Sequence, residues 1–279
     1  MEKEPPGSDI PGVAVRRVRP VAVVYSDDST GPADGDDTGA VAAMLASAAG
    51  WNFDVITAGP NGTMSVPEAL ARPGVRLYAQ PGADGDDDAA YRRQKRDKSA
   101  IKHFVHEGGR YLGICMGGFL AEPGHFNVFR GRVDEYYSSS GASVTTADPA
   151  VIPVIWRGMK RTMYFQDGGY MVPRRKSTGI TVLARYTNGA IAALVAPYGR
   201  GKVGLCGPHP EAPPEWYREA NLSYGESTQD LGDDLIDTLM APGVASSSSA
   251  TADVGVHRND RGDARIVHRR RTVDGSRQV

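Results

Sequence analysis

Short apolar runs separated by polar, glycine-containing stretches set the rhythm of this chain between about residues 20 and 206. Val21 to Tyr25, Phe53 to Ala58, Val75 to Ala79, Tyr111 to Ile114 and Val203 to Cys206 are near-continuous in apolar residues. Such runs read as strands covered on both faces, the habit of parallel sheets. The intervals carry helical spacing instead. Asp37-Thr38 opens a helix with Val41, Met44, Leu45 and Ala48 on one face and Gly50 as its stop. Pro67 suits the first turn of a short helix from Val66 to Ala71. One helix is expected from Asp86-Asp87-Asp88 to about Glu107, with Ala90, Tyr91, Ile101, Phe104 and Val105 covering one face. Leu231, Leu235, Ile236 and Leu239 give a last amphipathic helix ending at Met240. Residues 122 to 150 read as irregular. Beyond them Val151 to Trp156, Thr162 to Phe165, Gly179 to Tyr186 and Ala190 to Ala196 read as strands, the last two joined by a hairpin at Thr187-Asn188-Gly189. The pattern predicts an α/β fold, a mostly parallel sheet with some antiparallel strands.

Two strand ends carry chemistry. In Arg110-Tyr-Leu-Gly-Ile-Cys115-Met-Gly-Gly-Phe-Leu-Ala121 an apolar strand ends on cysteine and runs through two glycines into helical text. This is the pattern of a nucleophile elbow, where a strained turn between strand and helix presents the reactive side chain. A helix N-terminus there favours the thiolate. Read alone, Cys115 serves equally well as the end of a core strand. Gly201-Lys-Val-Gly-Leu-Cys-Gly-Pro-His209-Pro-Glu211 ends another strand with a histidine and, two residues on, a glutamate. A cysteine nucleophile needs a base, and the base needs a carboxylate that fixes its tautomer. His209 alone is an ordinary loop histidine; with the elbow it supplies the base, and Glu211 the orienting carboxylate. Sites in open α/β sheets form at the carboxyl ends of strands, where all three lie.

Gly-Ile-Cys115-Met-Gly and His209-Pro-Glu211 resemble the class I glutamine amidotransferase-like superfamily, and within it the N-terminal domain of biotin-protein ligases. Val23-Val-Tyr25, Gln80-Pro-Gly-Ala-Asp-Gly85, Gly108-Gly-Arg-Tyr-Leu-Gly-Ile-Cys115 and Phe165-Gln-Asp-Gly-Gly-Tyr170 extend the resemblance over roughly residues 20 to 240. The resemblance implies a three-layer, flavodoxin-like sandwich and a Cys115-His209-Glu211 triad attacking an amide or ester through a thioester. It implies an oxyanion hole from the backbone N–H of Met116 and of Gly82 or Ala83. Phe119 and Gln166, Asp167 and Gly168 fall where substrate is held. Two departures matter. Relatives carry glutamine where this chain has Phe119, and many carry Gly-Gly where it has Gly82-Ala83. No synthetase or biotin-ligase catalytic segment follows in the sequence, so neither ammonia transfer nor biotinylation is expected. A stand-alone hydrolase or acyl/amidotransferase-like enzyme, and a non-catalytic ligand-binding or regulatory module on the same fold, both remain open.

Composition narrows the class. Hydrophobic residues make up 40% and charged residues 23% of the 279, and the formal net charge is −1. That is an ordinary soluble profile with no global call for nucleic acid. The basic run Arg92-Arg-Gln-Lys-Arg-Asp-Lys98 reads as a solvated helix face, and His103 and His106 as surface residues. The Asp34–Asp37 and Asp84–Asp88 clusters lack the loop spacing and closing glutamate of a calcium site. No metal or organic cofactor is implied. Two cysteines suit a reducing cytoplasm, and no apolar run approaches a membrane span. The expected partner is a small amide or ester substrate, with a homo-oligomer or separate partner enzyme left open. Residues 1–18 are expected to be flexible, 19–241 to form the domain, and the serine- and arginine-rich 242–279 to be disordered.

Overall fold

A computed structural model describes residues 19–30, 37–83 and 85–242. The expected flexible start, nearly all of the expected disordered tail, and Asp34, Asp36 and Asp84 of the acidic clusters lie outside the described residues.

The strands are β1 (Val21–Tyr25), β2 (Asp54–Ala58), β3 (Val75–Gln80), β4 (Arg110–Ile114), β5 (Gly131–Glu135), β6 (Ala150–Trp156), β7 (Met159–Phe165), β8 (Gly169–Pro173), β9 (Thr181–Tyr186), β10 (Ile191–Tyr198) and β11 (Gly201–Cys206). The sheet runs β2-β1-β3-β4-β11-β10-β9-β6-β7, with β8 branching from β10 and β5 pairing β8. From β2 to β11 the pairings are parallel; beyond β11 they are antiparallel.

Helices cover both faces, which explains the unbroken apolar runs. The helices are α1 (Asp37–Ser47), α2 (Val66–Leu70), α3 (Asp87–Gln94), α4 (Lys98–His106), α5 (Met116–Leu120), α6 (Pro214–Glu219) and α7 (Gln229–Met240). Strand side chains alternate between the layers: Ala22 and Val24 join Met44, Leu45 and the α7 leucines, whereas Val23 and Tyr25 join Val66, Ile101 and Val105. The three-layer α/β architecture follows. Trp156 on β6 is buried, and its Nε1 donates to Asp234 Oδ2 at 2.7 Å, pinning α7 to the antiparallel half.

Three local readings are corrected. The helix expected from 86 to 107 is broken by a 3₁₀ turn, Lys95–Asp97, between α3 and α4. Gln94 and Asp97 are buried there, so the polar run is not one continuous solvated face. Strand β5 replaces part of the irregular text and pairs with β8, which lies beyond that text and was not expected as a strand. Helix α6 was not foreseen.

Candidate functional site

Register brings the two chemical strand ends together. β4 and β11 are parallel neighbours with Ile114 opposite Cys206, so both chains leave the sheet at one level. The ladder continues one step further, with Cys115 N–H donating to the Cys206 carbonyl at 2.9 Å. Cys115 then turns sharply, at φ 49° and ψ −112°, and Met116 begins α5. For a residue with a side chain this is a sparsely populated conformation, which persists only where packing enforces it. The enforcement is visible at Gly117, where a Cβ would fall on the Gln80 carbonyl. Only glycine lets α5 lie this close to β3. The helix is five residues long, so the dipole expected to favour thiolate is small.

His209 is set by a second device. The sheet's far strand curls back over the site: His209 N–H donates to the Tyr164 carbonyl at 2.9 Å, an isolated bridge between β7 and the segment after β11. Tyr164 and Trp216 meet the imidazole edge-on, with ring centroids 5.8 and 5.5 Å away. Nδ1 lies 2.9 Å from Glu211 Oε1, the geometry of an N–H donating to a carboxylate. Nε2 is buried and has no hydrogen-bond partner among the described residues. Burial alone would lower the imidazole pKa; the Glu211 charge and then Cys115 outweigh it, holding His209 well above the ordinary histidine value.

Cys115 Sγ opens on a cavity of about 290 Å³ lined by Gly82, Ala83, Met116, Phe119, Gln166, Asp167 and His209, among others. The thiol donates to the Gln166 carbonyl at 3.4 Å. The N–H groups of Gly82, Ala83 and Met116 donate to no acceptor among the described residues. Gly82 has a further reason to be glycine, since a Cβ there would strike the Asp37 carboxylate and approach His209. Cys115, His209, Phe119, Gln166 and Asp167, each expected at the site from sequence, thus surround one cavity, with Glu211 behind the histidine. Gly168 is a correction: it does not line the cavity but packs against the Gly207 carbonyl. Its own carbonyl accepts from Tyr136 N–H at 3.1 Å.

Sequence reasoning missed Asp37, Asp148 and Trp216, all lining the cavity, and Tyr164 beside the imidazole. Each comes from an element far along the chain, and nothing local marks it. Cys206 is fully buried; burial, then the charges of Glu211 and Cys115, push its thiol pKa well up, so it is a poor redox partner.

Two groups of ligand-type atoms lie within 4.8 Å of one another among the described residues: Asp37, His209 and Glu211, and Asp87, Glu122 and His125. In the first, Nδ1 and Oε1 are engaged with each other. In the second, His125 Nδ1 lies 3.1 Å from the Phe119 carbonyl and Nε2 3.4 Å from Asp88, so the ring bridges the end of α5 to α3. His103 and His106 are exposed and join neither group. No helix is long and apolar enough to cross a membrane, among the described residues.

Comparison with known proteins adds a sequence relationship. Residues 124–241 match the family described as biotin-protein ligase, N terminal. That stretch holds His209 and Glu211 but begins after Cys115. Biotin-protein ligase of Schizosaccharomyces pombe is 28% identical over 136 residues, 40% of this chain and 22% of that protein. The chain thus spans about a fifth of the length of this curated relative. Among solved structures, cytoplasmic protein STM1381 of Salmonella typhimurium aligns at a TM-score of 0.48 with 14% identity, over 78% of this chain and 98% of that one. A putative GMP synthase component of Thermoplasma acidophilum aligns at 0.45 with 11% identity, over 79% and 98%. At that distance neither structure adds to what the strand order shows. The sequence relationship is what stands: over residues 124–241 this α/β chain is similar to the N-terminal region of biotin-protein ligases.

Proposed function

We propose that this protein is a cysteine-nucleophile hydrolase or acyl/amidotransferase-like enzyme acting on a small amide or ester. The observation that carries the reading is the convergence of an elbow cysteine and a buried His209–Glu211 pair on one cavity, from adjacent parallel strands. In the proposed cycle His209 takes the Cys115 proton through Nε2, while Glu211 holds Nδ1–H and stabilises the imidazolium. The thiolate attacks the carbonyl carbon, and the oxyanion is met by the N–H groups of Met116 and of Gly82 or Ala83. Collapse expels the amine or alkoxide, which takes the proton from His209 and leaves a Cys115 thioester. His209 then deprotonates water or another acceptor, whose attack releases the acyl group and restores the thiol. Phe119, Gln166 and Asp167 would hold the substrate. No metal or organic cofactor enters this cycle; its setting would be the cytoplasm, without a nucleic-acid or membrane partner.

A second reading, a ligand-binding or regulatory module, is favoured by one observation: Cys115 Sγ donates to the Gln166 carbonyl, and Nε2 of His209 is left without a partner among the described residues. p-Nitrophenyl acetate separates the two. An enzyme gives a stoichiometric burst of p-nitrophenol and an acetyl thioester on the Cys115 peptide, both lost in Cys115→Ala. Absence of burst and adduct from the folded protein would leave the binding module.

A further inference from the structure

The chemistry of the cavity wall bears on what the site accepts. Three carboxylates, Asp37, Asp148 and Asp167, line it, and among the described residues it has no lysine or arginine lining. Glu211 stands behind, balanced by His209 as its imidazolium. His209 also lines the cavity, and its Nε2 is buried and has no hydrogen-bond partner among the described residues. Two aromatic rings complete the wall, Phe119 and Trp216, the latter 8% exposed. A free α-carboxylate, such as glutamine carries, meets no lysine or arginine here.

We infer that the cavity selects substrates whose non-reacting end is cationic, an ammonium or guanidinium held between Asp37, Asp148, Asp167 and the Trp216 ring. The inference rests on the reading of Cys115 as a nucleophile facing this cavity and names the substrate class that reading leaves open. Carboxylates attract the cation directly, and an aromatic face adds cation–π attraction for an alkylated ammonium. A cleft lined by one sign of charge also raises the local concentration of the opposite sign. Partial desolvation of Asp167 and the neighbouring Glu135 charge push its carboxyl pKa up, a strain that a bound cation relieves. Asp37 opens α1 beside Gly82, Asp148 precedes β6 and Asp167 follows β7, so three separate elements build the wall. The Asp37-His209-Glu211 group does not make this a metal site without rearrangement, since His209 Nδ1 and Glu211 Oε1 face each other at 2.9 Å.

The test uses three methanethiosulfonates on the full chain: neutral methyl, cationic trimethylammonioethyl and anionic sulfonatoethyl. The Cys115 thiolate attacks the sulfenyl sulfur, forms a mixed disulfide and expels methanesulfinate, and the rate is read on the Cys115 peptide by mass spectrometry. The expected cation-to-anion rate ratio is about tenfold or more above that of free β-mercaptoethanol. It falls toward the mercaptoethanol ratio in Asp37→Asn and in the rim variant Asp148→Asn/Asp167→Asn, each normalised to its rate with the neutral reagent. The rim variant carries the test if Asp37→Asn fails to fold. Loss of thiolate activation would slow all three reagents alike, so failure of the triad shows in the neutral rate and failure of this inference in the ratio. A ratio equal to that of mercaptoethanol, an inverted one, or one indifferent to both variants overturns the inference. So does protection of Cys115 by micromolar zinc alone with reversal by EDTA, which would make the wall a metal site.

Discussion

Replacing Glu211 by glutamine should lower the pKa of His209 and change how stability depends on pH. Nδ1 and Oε1 are 2.9 Å apart, which puts the charge centres about 4 Å from each other. At that separation an opposite pair attracts by roughly 4 kcal/mol at the effective dielectric that suits buried sites. A glutamine keeps an acceptor for Nδ1–H but loses the charge, so burial, which opposes the imidazolium, is left unopposed by Glu211. A Cys115→Ala background removes the other cause of the raised pKa. There the Glu211→Gln change should lower the His209 pKa, read from the ring proton by NMR titration. The sign for stability follows from the direction. A histidine whose folded pKa is raised above its unfolded value contributes stability fully present below about pH 6.5. That contribution is lost as pH rises through the folded pKa. The destabilisation caused by Glu211→Gln should therefore be larger at pH 6 than at pH 10 in urea unfolding. An unmoved His209 titration, or equal destabilisation at both pH values, would refute the electrostatic account of the pair.

Two further substitutions probe the scaffold that positions the site. Gly117→Ala puts a Cβ onto the Gln80 carbonyl; it should cost about 1–3 kcal/mol in denaturant unfolding and slow Cys115 alkylation by shifting the elbow. Unchanged stability and reactivity would mean the glycine is not what holds α5 against β3. Tyr186→Phe removes a buried hydroxyl that donates to the Gly169 carbonyl at 2.8 Å. It should cost about 1–3 kcal/mol, the penalty of a buried acceptor left unpaired, and a loss under about half a kcal/mol would contradict that pairing.

The parts of the fold legible in the sequence were those whose burial is continuous. β1 is a run of apolar residues packed on both faces, and its ends match the text residue for residue. Cys115, His209 and Glu211 were legible as candidates because Cys115 directly follows one such strand and the other two lie in the short segment after another. β8 was not: Gly169-Tyr-Met-Val-Pro173 carries turn-type residues and is held by pairing with β5, a contact no local pattern announces. The break at Lys95–Asp97 was hidden because Gln94 and Asp97 are buried polar residues, which periodicity scores as solvated. α6 begins at Pro214 within Pro213-Pro214, a loop signal, yet it delivers Trp216 to the cavity. Asp37 and Tyr164 reach the site from opposite ends of the sheet order, one beside Gly82 and one by the bridge that curls β7 back to His209.

The rate of Cys115 alkylation by iodoacetamide as a function of pH, in the wild type and in His209→Ala, tests the central claim most directly, with buried Cys206 as internal control. The account predicts alkylation at neutral pH faster than that of a free thiol, and a marked slowing there when His209 is removed. Alkylation of Cys115 no faster than that of a free thiol, and indifferent to His209, would contradict it.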